Sequence, residues 1–122
     1  MPAPAPNIPG PDDRILVLKC HWLTLVLQRV KTLEIRGRRL KAGYYYLGCR
    51  GHIYGCAQFG DAFAINSEAE WNALRSQHCI DASELPYKHT WGLPIESVWR
   101  MARPVPFVHP RGAIGIVKYR AA

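Results

Sequence analysis

Residues 30–39 read VKTLEIRGRR, and the alternation of their charges with Leu33 and Ile35 decides what the rest of the chain has to supply. Successive side chains of a strand point to opposite faces, so Leu33 and Ile35 take one side while Thr32, Glu34 and Arg36 take the other. Lys31 stands where the strand begins. A carboxylate between two cations is kept ionised by them. The set then offers donors and an acceptor suited to the edge of a base or to a phosphate. The same alternation also describes a solvated strand whose charges pair with their neighbours, and such pairs contribute little to stability. This segment alone leaves both readings open.

Outward from it, the charge is unevenly spread. The chain of 122 residues carries a net +7, and between Arg29 and Arg50 seven cations face one acid, Glu34. From Asp61 to Glu96 six acids outnumber Arg75 and Lys88, and the tail from Arg100 is basic again. Two basic segments around an acidic one form a single positive face if they meet in the fold, which favours a polyanionic partner. Scattered solvation of a basic protein accounts for the same counts. A chain of this length can bury about two thirds of its unfolded surface, so it needs neither disulfide nor metal to fold. Cys20, Cys49, Cys56 and Cys79 sit in apolar surroundings without a CxxC pair and are expected as reduced, buried thiols. Cys49, His52 and Cys56 are metal-ligand types, but no second pair has zinc-site spacing, so no metal ligand is assigned. No apolar run approaches the roughly 18 residues of a membrane span, and the N-terminus does not read as a secretory signal. An intracellular protein of cytoplasm or nucleus, with no membrane partner, is the expectation.

Residues 1–13, MPAPAPNIPGPDD, contain five prolines and read as a disordered arm before a single domain over 14–122. RILVLKC suggests a short strand. In HWLTLVLQR, Trp22, Leu25, Val26 and Arg29 have helical spacing. GYYYLGCR and IYGCAQFGDAFAI read as a hairpin turning at Gly51-His52, its second strand long and bent at Gly60. SEAEWNALRSQHC is the clearest helix, opened by a Ser67–Glu70 capping box, with Trp71, Leu74 and Cys79 on its apolar spacing. After a Pro-punctuated stretch, HTWGLPIESVWRMARPVPF and RGAIGIVKY complete the set. Short strands, few helices and no βαβ alternation predict an α+β fold, a small curved or barrel-like sheet with helices on its openings.

Taken together, LVLKCHWLTLVLQRVKTLEIRGRRLKAGYYYL resembles the start of an ASCH domain (activating signal cointegrator homology), in which a short helix with a tryptophan precedes K-T-x-E-x-R on a strand, a basic turn and a Gly-led strand. Lys31, Thr32, Glu34 and Arg36 fit that motif position by position. IYGCAQFGDAF and YKHTWGLPIESVWRMARPVPFVHPRGAIGIVKY are similar to its later elements, so the resemblance runs from Arg14 to Tyr119. It implies a PUA-like β-barrel flanked by two or three short helices, with a cleft for RNA, single-stranded nucleic acid or a modified nucleoside lined by the K-T-x-E-x-R strand. It also implies an alternative, an enzyme on the same ligands. That would be a ribonuclease or an amidohydrolase of acylated cytidine, with Lys31 and Glu34 catalytic, no cofactor, and Mg²⁺ only for a nuclease. Two departures stand out. Glu34 occupies a threonine position of the hydrolase branch, and Arg29 stands where the family often ends its first helix on glycine.

The ligand-binding candidates are then Trp22, Lys31, Thr32, Glu34, Arg36, Arg38, Arg39 and Arg111. Trp22 can stack on a base, a contact worth ~1–3 kcal/mol, or plug the barrel. Arg38, Arg39 and Lys41 follow the motif strand on a turn, where cations suit phosphate contact, and Arg111-Gly112 offers a second such turn. Of the three consecutive tyrosines, Tyr45 is expected as the exposed, stacking ring. Trp91 and Trp99 are expected inside the barrel. Glu34 beside Lys31 is expected to hold the ammonium's pKa up, making Lys31 a poor base and an electrostatic group instead.

Overall fold

The computed structural model describes residues 9–122, so the start of the proline-rich arm lies outside the described residues. Residues 10–13 form a turn closed by the Gly10 N–H on Asp13 Oδ2, and the Asp13 carbonyl accepts from the Tyr119 N–H.

The elements are β1 (Arg14–Val17), α1 (Cys20–Leu27), β2 (Leu33–Arg36), β3 (Gly43–Cys49), β4 (His52–Phe59), β5 (Phe63–Ile65), α2 (Glu68–Ala73), α3 (Arg75–His78), β6 (Thr90–Pro106) and β7 (Ile116–Lys118). The strands make one seven-stranded mixed sheet in the order β2-β6-β4-β3-β1-β7, with β5 also on β6. Only β1 and β3 run parallel among the described pairs. The sheet curls into a half-barrel with its helices beside it, the α+β PUA-like architecture expected from the sequence. Among the described residues no helix is long and apolar enough to cross a membrane.

β6 is the spine. Its first residues pair with β2 and β5 at once, Gly92 facing both Ile35 and Phe63. From Ile95 onward it pairs with β4 instead. The exchange happens at Pro94, which has no N–H to offer a second neighbour. Further along, a β-carbon on Gly55 would stand 2.5 Å from the Trp99 carbonyl oxygen, so only glycine lets β4 and β6 approach there. α1 lays Leu23 and Val26 on the concave face, against Tyr45, Leu47, Phe59, Leu93 and Val98. The apolar side of β2, Leu33 and Ile35, joins Ile65 and Trp71 in a separate cluster under α2. This is the alternation read from the sequence.

Several expectations change. The hairpin turns on Arg50-Gly51, both at positive φ, rather than Gly51-His52, and its second strand stops at Phe59 with β5 beginning anew at Phe63. The helix of residues 67–79 starts as expected, the Glu70 N–H on Ser67 Oγ, but breaks at Leu74 into α2 and α3. The break lets His78, not Cys79, turn inward and stack on Trp71 with ring centroids 3.8 Å apart. Tyr45 is the buried ring of the three, edge-on to Phe59, its hydroxyl donating to the Lys41 carbonyl. A buried position excludes the stacking role. Trp91 packs against the main core, whereas Trp99 stands partly buried beside Tyr44 rather than within it.

The thiol expectation fails for two of the four cysteines. Cys20, the first residue of α1, and Cys49, the last of β3, come within 5.6 Å at Cα and form a disulfide. The spacing hid this, because the pairing depends on α1 folding back over the sheet. Cys56 and Cys79 remain free, and burial pushes the Cys56 thiol up to about 11. A cross-link between residues 29 apart should contribute about 3 to 4 kcal/mol through the unfolded chain. Urea unfolding with and without reductant, and of Cys20→Ser/Cys49→Ser, should show a loss of that size; coincident curves would contradict the bridge.

Candidate functional site

The site is built at the end of α1. The Arg29 N–H bonds to the Val26 carbonyl and the Val30 N–H to the Leu25 carbonyl, the paired closure of a left-handed helix cap. Arg29 is the left-handed residue, φ 60°, where glycine is usual. Its side chain offsets the strain by donating to the Val98 carbonyl at 2.9 Å. The cap reverses the chain so that Lys31 points back beneath α1. The residue is 1% exposed, and its ammonium makes one hydrogen bond, 2.5 Å to the His78 carbonyl. It lies 4.7 Å from the Trp22 ring centroid and 3.9 Å from Glu34 Oε1.

Glu34 is also buried, 5% exposed. Its Oε2 accepts from Arg36 Nε at 2.8 Å, and Arg36 Nη2 donates to the Val17 carbonyl at 3.1 Å, so strand alternation places both side chains on one face. Oε1 has no hydrogen bond, and among the described residues no side-chain N or O is both buried and unpartnered, so this oxygen opens onto the hollow above it. That hollow has a volume of about 280 Å³. Trp22, Ile80, Pro86 and Tyr87 line it, and Lys19, Lys31, Glu34 and Arg36 are its charged lining, Lys19 exposed at the surface.

No protein-family model matches the chain, and no curated protein sequence matches it significantly. Solved structures do match. A single-residue variant of the ASCH protein of Zymomonas mobilis superposes with a TM-score of 0.71 at 11% identity, over 93% of this chain and 92% of that one. The unsubstituted protein gives 0.71 at 11%, over 91% and 90%. A second variant gives 0.71 at 12%, over 89% and 91%. The fold is that of an ASCH domain. At such identity the likeness carries the architecture, and the chemistry of this ASCH fold has to be read from its own side chains.

Of the residues singled out in the sequence, Trp22, Lys31, Glu34 and Arg36 converge on the hollow. Trp22 is a partly exposed wall, not a plug. Thr32 is outside that lining: it is exposed and lines another hollow of about 210 Å³ with Arg29 and Glu96, which Lys31 also borders. Its main chain is bonded on both sides, N–H to the Gln77 carbonyl and carbonyl to the Ile95 N–H, which turns it out of the cleft. Arg39 sits over Trp91 at 5.8 Å and shares a further hollow with Lys41 and Asp61. Arg38 borders the neighbouring hollow past Arg36, and Arg111 is exposed on the 107–115 loop, outside the lining of the site. Tyr87 was missed, because a tyrosine in an aperiodic proline segment carries no pattern. It rests on Gly37, where an added β-carbon would stand 3.0 Å from its ring. Among the described residues no three His, Cys, Asp or Glu side chains group as metal ligands, and Cys49 is held in the disulfide.

The electrostatics correct one expectation. The pKa of Lys31 is lowered, not held up: desolvation by burial outweighs the opposing attraction of Glu34. The His78 ring is buried between Trp71 and the Ile80 backbone. The Ile80 N–H donates to Nδ1 at 2.9 Å, so Nδ1 carries the lone pair and Nε2–H donates to the Trp71 carbonyl at 2.9 Å. Burial lowers the His78 pKa below 6.5, with nearby Lys31 and Arg75 adding to it against the Trp71 carbonyl. Between the lowered value and 6.5 the unfolded chain binds more protons than the folded one, so stability falls as pH drops through that window. Denaturant melts across pH 7 to 4 should show a steeper acid loss in the wild type than in His78→Gln. Equal slopes would contradict the neutral, doubly bonded ring.

Proposed function

We propose that this chain binds single-stranded RNA or a free nucleotide, taking one base into the hollow lined by Trp22 and Tyr87. The observation that carries the reading is the free pairing capacity of two desolvated charges. Glu34 Oε1 accepts nothing, and the Lys31 ammonium uses one of its three N–H groups on His78. At 3.9 Å the two are too far apart for a hydrogen bond, so a base edge presenting an amino group to Oε1 and a carbonyl to Nζ can engage both. Such contacts are strong where water is excluded. The indole offers the stacking face that every base can use. The volume lies at the low end of small-molecule pockets, roughly 300 Å³ upward, which suits a single base rather than a large cofactor. Arg36, fixed by Glu34 and Val17, places a cation where the attached phosphate would leave the hollow.

One observation favours a second reading, catalysis on the same ligands. A lysine with its pKa lowered by burial, beside a carboxylate, is suited to transfer a proton or stabilise an anion during hydrolysis of a modified nucleoside or a phosphodiester.

Fluorescence anisotropy with labelled single-stranded RNA tests binding, and mass spectrometry of the same mixtures tests turnover. Lys31→Met and Glu34→Gln should each weaken binding by roughly tenfold or more, the loss expected when a charged hydrogen-bonding partner is removed. Affinity should also fall as salt rises. Unchanged affinity in both folded variants would overturn the base pocket. A product made by the wild type and absent with Lys31→Met would establish the enzyme.

A further inference from the structure

A second hollow, about 460 Å³, begins where the first one ends. The two share Arg36 and Tyr87 as their common wall. Arg36 serves both sides. Its Nε is turned to Glu34, while Nη1 points the other way, 3.9 Å from where a β-carbon on Gly115 would stand. Leu40, Ile114 and Ile116 give the second hollow an apolar floor, and Arg38 stands at its edge. Ile114 is 90% exposed, the barest large hydrophobic side chain among those described. It is nevertheless held on a fastened loop, with the Gly115 carbonyl accepting from the Val17 N–H at 2.8 Å and the Ala113 N–H bonded to the Pro110 carbonyl. Arg38 enters no ion pair among the described residues.

From this juxtaposition we infer that the site is a groove with two subsites, and that its ligand is a strand of at least two nucleotides. This rests on the reading of the first hollow as a base pocket. The neighbouring base lies on Ile114 and Leu40, against the edge of Tyr87, and the phosphodiester between the bases crosses Arg36 and meets Arg38. Continuity with the base pocket favours this occupant, as do the two cations along the path. The apolar floor of Leu40, Ile114 and Ile116 holds a base by contact rather than by hydrogen bonds. The second position is therefore tolerant, and selectivity stays with Glu34 and Lys31.

Binding of mixed nucleoside monophosphates, dinucleotides and hexanucleotides of RNA, measured by calorimetry or competition anisotropy, tests the groove. The wild type should bind dinucleotides roughly tenfold or more tighter than monophosphates, the gain from covering one added base with apolar side chains. Ile114→Asp should abolish most of that gain and leave monophosphate affinity within about twofold; Arg38→Ala should reduce it and flatten the salt dependence by roughly one ion. Both positions are exposed, and circular dichroism checks that the variants fold. Dinucleotides no tighter than monophosphates, or a gain that survives Ile114→Asp, would overturn the second subsite while leaving the base pocket standing. If the wild type binds none of the three, the base pocket falls and the groove with it.

Discussion

The buried ammonium of Lys31 is the constraint on which the site depends. A charge removed from water needs compensation from fixed partners, and removing one partner of a buried pair costs about 3–5 kcal/mol. Here the partners come from three different elements. His78 supplies its carbonyl from the end of α3, Trp22 a ring face from α1, and Glu34 a carboxylate from β2. Each is held by something else. The His78 carbonyl is placed by the break at Leu74 and by a ring locked between Trp71 and Ile80; Trp22 is two residues from the disulfide at Cys20; Glu34 is oriented by Arg36. The lysine thus couples the α3 segment, the first helix and the motif strand into one wall.

That coupling explains why the fold spends unusual backbone near the site. Arg29 adopts a left-handed conformation to turn Lys31 under the helix, and Cys79 does the same just after His78. A non-glycine residue in this region stores strain that its surroundings must offset. The Arg29 side chain does so through Val98, and the Cys79 N–H through the Arg75 carbonyl. Gly37, in turn, lets the Tyr87 ring lie on the backbone and line the same hollow as Trp22.

Much of this was legible beforehand. The alternation of TLEIR placed Leu33 and Ile35 in a core and Glu34 with Arg36 on the other face, and the Ser67 cap marked the start of α2. Alternation assigns a face, however, without saying what covers it. The burial of Lys31 comes from α1 and the segment after α3 closing over the strand, contacts of long sequence separation that no local pattern encodes. The direction of its pKa followed from the same omission, since a neighbouring carboxylate was visible and the desolvation was not. Thr32 was misplaced because it precedes the regular strand, where its main-chain bonds decide its direction. The Cys20–Cys49 bridge and the role of Tyr87 depend likewise on how distant segments meet.

The most direct measurement is a crystal structure of the chain grown with a short single-stranded RNA. A base should lie in the hollow of Trp22, its edge within hydrogen-bonding distance of Glu34 Oε1 and Lys31 Nζ. RNA bound on another face, with that hollow filled only by solvent, would contradict this placement.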